Sequence, residues 1–319
     1  MNPTYTGPNT VYDWRQHGFL YNQLGPALRA EFGSPVRKVS IDAGMTCPHK
    51  NSGGCVFCDA SSFSPSRRLR QHGKMSIKEQ IDDGVNRQSK HNSQPKVIAY
   101  FQPSTNTFGS VDFLENTFRQ AISHPSVVGI AIGTRPDCLP NEVLDLLAEL
   151  SREKWLSLEI GLQSAHDKSL VFLNRGHDYA TFVDAVDRAK DRNLRLCVHL
   201  ILGIPGETRE EMNQTALQMA GFSLHSIKLH NLYVVKNTKL TDLWKSGLVP
   251  LPSCEEYVGY VTDFLERTPH ETIIERVSAE SGNEFLLAPD WMVEKHAVRN
   301  AMDREFRKRR TFQGIISMP

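Results

Sequence analysis

Three cysteines within one short segment restrict what this chain can fold into more than any other feature. Cys47, Cys55 and Cys58 form a C-x7-C-x2-C pattern directly after an apolar run, Val36 to Ile41, that predicts a strand. Thiolates are soft ligands that suit iron–sulfur clusters, zinc or copper(I). The Gly53-Gly54 pair allows the backbone to turn back within the longer gap. The pattern therefore predicts that the three thiolates bind one metal centre.

The loop supplies three thiolates rather than four, which indicates a catalytic metal site rather than a purely structural one. Iron–sulfur and zinc sites normally have four protein ligands, and no fourth cysteine lies near the loop. One metal position would then be open to an exogenous molecule. Two alternatives remain at this point. His49 would complete a structural Cys3His zinc site, or the thiols are unligated, and the metal content of the protein distinguishes these cases.

Composition excludes several classes of protein. The chain has 319 residues, of which 39% are apolar, so it suits a single α/β barrel with a packed core. A net charge of +1 gives no overall indication of a nucleic-acid partner. No apolar run approaches the ~18 residues of a transmembrane helix, and the N-terminus lacks a secretion signal. Six cysteines in a chain of this length are not a secreted disulfide framework. We expect a cytoplasmic protein without a membrane partner; composition predicts no oligomeric state.

Strand and helix patterns alternate through the middle of the chain. Near-continuous apolar strands separated by helices predict a parallel sheet with both faces covered and right-handed crossovers. Six such units are too few for a closed eight-unit barrel. The fold class that fits is α/β, with an open, partial (β/α)6 TIM-like barrel. The predicted strands cover residues 36–41, 97–102, 127–132, 156–162, 196–203 and 226–235.

The chain divides into three predicted regions. Residues 1–35 form an N-terminal cap, residues 36–250 the partial barrel, and residues 251–319 an α-rich C-terminal extension. The extension has a capping signal at Ser253 and a candidate seventh strand at 272–277.

The cysteine loop, with Phe57 just before its last cysteine, resembles the cluster loop of radical S-adenosylmethionine (SAM) enzymes. Its longer first gap resembles the subgroup that contains the radical SAM half of Elongator's catalytic subunit, and later segments resemble MnmL/YhcC-type bacterial proteins. The resemblance implies that Cys47, Cys55 and Cys58 hold a [4Fe–4S] cluster and that SAM binds the fourth iron. An electron from the reduced cluster would then cleave SAM to a 5′-deoxyadenosyl radical.

The resemblance also implies cofactor contacts at the carboxyl ends of the strands, where parallel barrels carry their chemistry. Gln102 follows the second strand, at the position that binds the SAM amino group, although a capped polar turn is the alternative. Arg135 follows the third strand within Thr-Arg-Pro-Asp, where Asp137 offers a purely structural interpretation. Cys138 lies just beyond, either as a substrate-handling thiol or as an inert one.

The fourth strand gives the strongest of these cofactor signals. The resemblance implies that Gln163 contacts the ribose hydroxyls and that Arg175, twelve residues later, pairs with the methionine carboxylate. A guanidinium matches a carboxylate bidentately. Glu159 shares the face of Gln163, and it either bonds the cofactor or pairs with a neighbouring base.

The fifth and sixth strands complete the implied cofactor site. The Gly-Ile-Pro-Gly-Glu turn at 203–207 resembles the motif that flanks adenine. His199 occupies the position of a ribose-contacting residue, or it is a buried and satisfied histidine. Leu232 backs the adenine, and His230 lies on the same strand.

The implied substrate is the side chain of a tRNA wobble uridine, converted from carboxymethylaminomethyl to aminomethyl. Two basic segments, 67–70 and 304–310, are candidate phosphate contacts, with solvated surface as the alternative. A flavodoxin- or ferredoxin-type protein would donate the electron. Two other functions stay open: radical chemistry on a small molecule such as a porphyrin, and a zinc-stabilised RNA-binding module without catalysis.

Overall fold

A curved, all-parallel sheet forms the centre of the protein. The computed structural model describes residues 12–59, 62, 75–89, 95–294 and 296–316. The strands within these ranges are β1 (Val36–Ile41), β2 (Lys96–Phe101), β3 (Val127–Thr134), β4 (Trp155–Gln163), β5 (Arg195–Leu202), β6 (Ser226–Asn231), β7 (Val234–Val235), β8 (Ile273–Arg276) and β9 (Leu286–Ala288). Seven of them pair in the order β1-β2-β3-β4-β5-β6-β8, and β7 pairs with β9.

Helices connect the strands and pack against them. They are α1 (Leu24–Phe32), α2 (Ile77–Ser89), α3 (Val111–Ile122), α4 (Asn141–Glu153), α5 (Asp167–Phe172), α6 (Tyr179–Lys190), α7 (Arg209–Ala220), α8 (Lys239–Lys245), α9 (Cys254–Arg267) and α10 (Ala297–Arg309). Capping boxes at Thr208 and Ser253 begin α7 and α9: each hydroxyl accepts a hydrogen bond from the amide of the glutamate three residues later, and that carboxylate accepts one from the amide of the capping residue. None of the helices in the described part of the chain is long and apolar enough to cross a membrane.

The partial TIM-like barrel predicted from the sequence is confirmed, and the candidate seventh strand is real. All nine residues of β4 are buried, as expected for a strand covered on both faces. The sixth strand is shorter than predicted: it ends at Asn231, and the chain then leaves the sheet. Leu232 packs instead with Val56 and Ile201 in a small apolar cluster under the cysteine loop. Two short helices, α5 and α8, were not predicted.

The N-terminal segment covers the gap between the two edges of the sheet. Gln23 forms a parallel bridge with Ile274 of the edge strand β8, and the Asn22 carbonyl accepts a hydrogen bond from the Ile274 amide at 2.7 Å. The following helix, α1, contacts both β1 and β8. The open side of the half-barrel is therefore partly closed by this segment.

A glycine sets how closely α2 approaches β1. A Cβ at Gly84 would lie 2.3 Å from Cγ1 of Val39. We expect Gly84→Ala to lower the free energy of unfolding by about 1–3 kcal/mol through overpacking, measured by urea denaturation. Gly25→Ala in α1 is the matched control, because its Cβ meets nothing within 4 Å. Combining Gly84→Ala with Val39→Ala removes the clash, so strictly additive effects in the double variant would contradict this packing.

Candidate functional site

The cysteine loop folds back on itself by a 3-10 turn and two glycines. The turn, Pro48–Ser52, begins directly after Cys47. Gly53 and Gly54 then adopt φ values of 96° and 64°, a left-handed conformation that favours glycine. Within the last gap, the Cys58 amide donates to the Cys55 carbonyl at 3.1 Å. The expectation that the glycine pair lets the backbone turn back is confirmed.

Residues after α5 hold this loop in place. The Val56 amide donates to the Leu173 carbonyl at 3.1 Å, and Nδ2 of Asn174 donates to the Gly54 carbonyl at 2.6 Å. His49 donates from Nε2 to the Asn174 carbonyl, also at 2.6 Å. Sequence reasoning missed the role of His49 and Asn174 as loop anchors, since the two residues are far apart along the chain.

The placement of the thiols fits a multi-iron cluster better than a single zinc ion. Tetrahedral zinc with a Zn–S bond of about 2.3 Å requires its sulfurs within about 4.6 Å of one another. Among the described residues, the one group of three metal-ligating side chains with all ligand atoms within 4.8 Å is Glu159, Cys197 and His199, so the cysteine loop does not meet this limit. His49 is bonded to a carbonyl. In a [4Fe–4S] cluster each thiolate binds a different iron, which suits more widely spaced sulfurs.

The thiols lie in the mouth of the barrel. Cys58 is an exposed residue on the wall of a concave opening, yet desolvation there and the neighbouring Cys55 raise the pKa of its thiol to about 12. Metal binding must therefore displace the proton, because only the thiolate is a ligand.

A buried arginine lies directly against the loop. Nη1 of Arg175 lies 3.2 Å from Sγ of Cys55, and its Nη2 donates to the Gly161 carbonyl at 2.6 Å. Its Nε is buried and has no partner among the described residues. Arg135 lies behind it: this guanidinium pairs bidentately with Asp137 at 2.9 Å and donates to the Arg175 carbonyl at 2.6 Å. Arg135 thus positions Arg175, and its predicted cofactor contact stays a prediction.

A cavity of about 190 Å³, the inner cavity, lies beside the loop. It brings four of the predicted cofactor residues together with one cluster cysteine. The residues concerned are Cys58, Gln102, Gln163, His199 and Leu232.

Two of these residues, Gln163 and Gln102, reach the inner cavity from the ends of β4 and β2. Gln163 follows an irregularity in the pairing of β4 with β5 and has φ of 83°, unusual for a residue other than glycine. Gln102 is fixed by Ser40, which donates to its Oε1 at 2.8 Å. A fixed amide such as that of Gln102 suits a binding site, because little side-chain entropy remains to be lost on binding.

Glu159 lies below the inner cavity and is fully buried. It belongs to a buried charge cluster formed by Lys38, Glu159, Lys228 and Glu275. Lys38 lies 2.6 Å from Glu159 and 2.5 Å from Glu275, and Lys228 pairs with Glu159 at close range. Burial alone would raise the pKa of Glu159, but the two ammonium groups hold it well below its usual range. Of the two interpretations of Glu159, pairing with neighbouring bases is the one observed.

The buried charge cluster also fixes His199. Burial and the charge of Lys228 lower the pKa of this histidine, so the ring is neutral at pH 7. Its Nε2 therefore donates to Oε2 of Glu159 at 2.8 Å. Nδ1 then carries no proton, and His199 offers a hydrogen-bond acceptor in the inner cavity. His199 reaches the predicted cofactor position, although its contact with a ribose stays a prediction.

Two residues after the second and third strands have structural roles. Asn106 is fully buried, and its Nδ2 donates to the carbonyls of Phe101, Pro103 and Gly133 at 3.0–3.1 Å. It joins the ends of β2 and β3, which sequence reasoning did not foresee. Cys138 is buried, and desolvation raises the pKa of its thiol to about 12. An inert thiol is therefore the interpretation that the structure favours.

Comparison with known proteins assigns the family. Residues 44–219 match the sequence profile of the radical SAM superfamily, and residues 224–308 match that of the radical SAM C-terminal domain. Protein YtqA of Bacillus subtilis is 36% identical over 298 residues, which cover 92% of each chain. Protein YhcC of Escherichia coli is 37% identical over 290 residues, or 89% of this chain and 92% of YhcC. Elongator complex protein 3 of Homo sapiens is 28% identical over 181 residues, which are 56% of this chain and 31% of that protein.

Solved structures show the same fold. The archaeal Elp3 of Methanocaldococcus infernus superposes with a TM-score of 0.62 at 16% identity, covering 87% of this chain and 64% of Elp3. Methylornithine synthase (PylB) gives a TM-score of 0.52 at 10% identity, with 87% and 83% coverage. Together with the sequence matches, these findings place the chain in the radical SAM superfamily, whose members use a [4Fe–4S] cluster and SAM.

Proposed function

We propose that this radical SAM enzyme acts on the C5 side chain of a tRNA wobble uridine and converts carboxymethylaminomethyl to aminomethyl. The observation that carries the proposal is the alignment of more than half of the chain with Elongator complex protein 3. The chain also has the cysteine spacing and the Thr-Arg-Pro-Asp string, at 134–137, by which it resembles the Elongator-like subgroup. That resemblance implies chemistry at the same position of the same nucleoside.

The site residues have distinct roles in this proposal. When bound, the cluster and SAM would supply a carbon radical that abstracts hydrogen; the conversion balances if SAM is the two-electron oxidant and the carboxymethyl unit, with water, leaves as glyoxylate. Cys47, Cys55 and Cys58 hold the cluster, and the positive charge of Arg175 offsets the thiolate charge at Cys55. Gln163 and His199 orient SAM from the wall of the inner cavity. A target base must leave its stack to reach this cavity.

One experiment tests both the cofactor and the substrate. The protein is reconstituted anaerobically with iron and sulfide, then given SAM, dithionite and bulk tRNA. We expect 5′-deoxyadenosine and a changed wobble nucleoside, both detected by mass spectrometry. If tRNA neither binds at low salt nor stimulates 5′-deoxyadenosine formation, the small-molecule alternative takes the lead.

The first prediction of this proposal concerns the cluster. Alanine at Cys47, Cys55 or Cys58 removes a thiolate ligand, so we expect loss of the iron–sulfur absorption band and of SAM cleavage. Cys254→Ala, on α9, is the control and should keep both. His49→Ala should also retain iron, because His49 anchors the loop and is not a ligand. Stoichiometric zinc without iron after anaerobic purification would instead support the zinc-stabilised RNA-binding module.

The second prediction concerns SAM binding. Arg175→Ala should weaken SAM binding by about 1.5–3 kcal/mol if the guanidinium makes a charge-assisted bond with the carboxylate. Because Arg175 also touches Cys55, the iron content of the variant is measured alongside the dissociation constant. Arg152→Ala, on the exposed surface of α4, is the control. Unchanged SAM affinity in a variant that retains its cluster would exclude this role for Arg175.

The candidate phosphate contacts are fewer than the sequence indicates. Arg309 is held by Asp263 at 2.6 Å and by Glu305 at 2.7 Å, so it is a structural ion pair. Arg307, Lys308 and Arg310 are exposed and remain candidates. The other basic segment, 67–70, lies outside the described residues.

The third prediction concerns these three bases. Alanine at Arg307, Lys308 and Arg310, with Arg309 retained, should flatten the salt dependence of tRNA binding. The log–log slope should fall by about 0.7–0.9 for each phosphate that is no longer neutralised. The control variant carries alanine at three exposed bases near the C-terminal ends of α2, α4 and α6, namely Arg87, Arg152 and Lys190. Equal slopes for the two triple variants would remove this helix from the tRNA interface.

A further inference from the structure

A second and larger cavity adjoins the inner cavity along the open side of the half-barrel. This outer groove, of about 810 Å³, runs between α1, β8 and the segment 291–299. Three residues line both cavities: Arg276, Ala279 and Glu280. The wall between the two cavities is therefore one short stretch of chain at the end of β8. A ligand can contact a side chain on this wall either from the outer groove or from the inner cavity.

Arg276 occupies this wall with its hydrogen-bonding capacity unused. Within the described part of the chain its closest acidic partner is Glu280, at 4.0 Å from Nη2, too far for a hydrogen bond. The side chain is 32% exposed, whereas that of Glu280 is 84% exposed. Arg135 and Arg175, by contrast, donate to carbonyls and to Asp137 or Cys55. Arg135 and Arg175 each keep one buried nitrogen without a described partner, whereas Arg276, the arginine that lines the inner cavity, keeps its whole planar set of N–H donors for a ligand.

The backbone holds Arg276 in place. Arg276 pairs in register with Lys228 of β6. The chain beyond it is fixed twice, since the hydroxyl of Tyr257 donates to the Val277 carbonyl at 2.8 Å and the Ala279 amide donates to Oδ1 of Asn231 at 3.0 Å. A guanidinium on such a rigid edge needs little ordering when it binds a ligand.

His230 adds a second unused donor in the same cavity. Its Nε2 is buried without a hydrogen-bond partner in the described structure, and the residue lines the inner cavity with Arg276. Burial, the neighbouring His199 and the charge of Arg276 lower the pKa of His230 well below its usual range, so the ring is neutral and carries one N–H. With that hydrogen on Nε2, His230 is a donor to a ligand in the cavity. The neighbouring Lys228 is already paired with Glu159. Among the residues described on this wall, the free positive charge is that of Arg276.

We propose that Arg276, assisted by His230, binds the carboxylate of the substrate side chain at the boundary of the two cavities. The inference rests on the proposed function, which provides a carboxymethylaminomethyl group whose carboxylate matches a guanidinium bidentately. The substrate enters through the outer groove, and its carboxylate is held while the adjacent methylene group faces the inner cavity. Arg276 is then a specificity-determining residue that separates substrate from product, because the aminomethyl product has no carboxylate.

The test measures binding as well as turnover in the reconstituted protein. Two nucleosides serve as probes, 5-carboxymethylaminomethyluridine and 5-aminomethyluridine. We expect Arg276→Gln to weaken binding of the first about 10- to 100-fold, as for loss of a charge-assisted bond, and to leave binding of the second unchanged. Arg276→Lys should recover part of the loss. Iron content and SAM affinity should equal those of the wild-type protein. Arg152→Gln, exposed and outside both cavities, is the matched control and should leave binding of both nucleosides unchanged.

Several outcomes would overturn this assignment. They are equal binding of the two nucleosides by the wild-type protein, no measurable binding of the carboxylate probe, or weaker SAM binding in Arg276→Gln. Competition by uridine 5′-monophosphate that disappears in Arg276→Gln would identify a phosphate site instead. Conversion of tRNA by Arg276→Gln at the wild-type KM would reject the inference and leave the proposed function intact. Arg276-dependent binding of the carboxylate probe, without any conversion of tRNA, would support the binding role of Arg276 and reject the proposed function.

Discussion

The buried charge cluster joins parts of the sheet that are far apart in the sequence. Lys38 lies on β1, Glu159 on β4, Lys228 on β6 and Glu275 on β8. β1 and β8 are opposite edges of the seven-stranded sheet, yet Lys38 lies 2.5 Å from Glu275. The sheet must therefore curl until its edges approach one another. Two acids and two bases balance in charge, and this pairing is what allows ionised groups inside a barrel at all.

The same cluster supports the cofactor side of the molecule. His199 stands between Glu159 and the inner cavity, and its bond to the carboxylate fixes both the orientation and the tautomer of the ring. Removal of one partner from a buried ionic group costs about 3–5 kcal/mol, since a charge is left unpaired. Curvature of the sheet and presentation of His199 are consequently coupled: a change that loosens the charge cluster also loosens one wall of the inner cavity.

Local patterns account for what the sequence predicted correctly. The alternation of apolar strands and helices gave the parallel half-barrel, and the capping signal at Ser253 gave the start of α9. The cysteine loop was predictable because its spacing and its glycines lie within twelve residues. Arg175 was predictable only through the family resemblance, and the structure then showed its contact with Cys55.

Contacts between distant segments were beyond sequence reasoning. Nothing near Lys38 indicates that its partner lies 237 residues away. The sixth strand was predicted too long, since Val234 and Val235 have strand propensity but pair with β9 outside the main sheet. The basic run near the C-terminus was treated as uniformly free, whereas acidic residues of α9 and α10 hold Arg309. In each case the deciding partner is supplied by tertiary structure.

The two regions that match family profiles contribute different residues to the opening at the carboxyl ends of the strands. The cluster cysteines, Gln163 and Arg175 lie within the region that matches the radical SAM superfamily, whereas Arg276 and His230 lie within the region that matches its C-terminal domain. The first region presents arginines most of whose donors are engaged by Asp137, by carbonyls or by a thiol, with one buried nitrogen of Arg135 and one of Arg175 left without a described partner. The second region presents polar groups that no described residue uses, namely Nε2 of His230 on β6 and the guanidinium of Arg276 on β8, the strand that Glu275 joins to the charge cluster. If Arg276 selects the substrate as proposed, cofactor geometry and substrate choice depend on different segments, joined by one set of buried ion pairs.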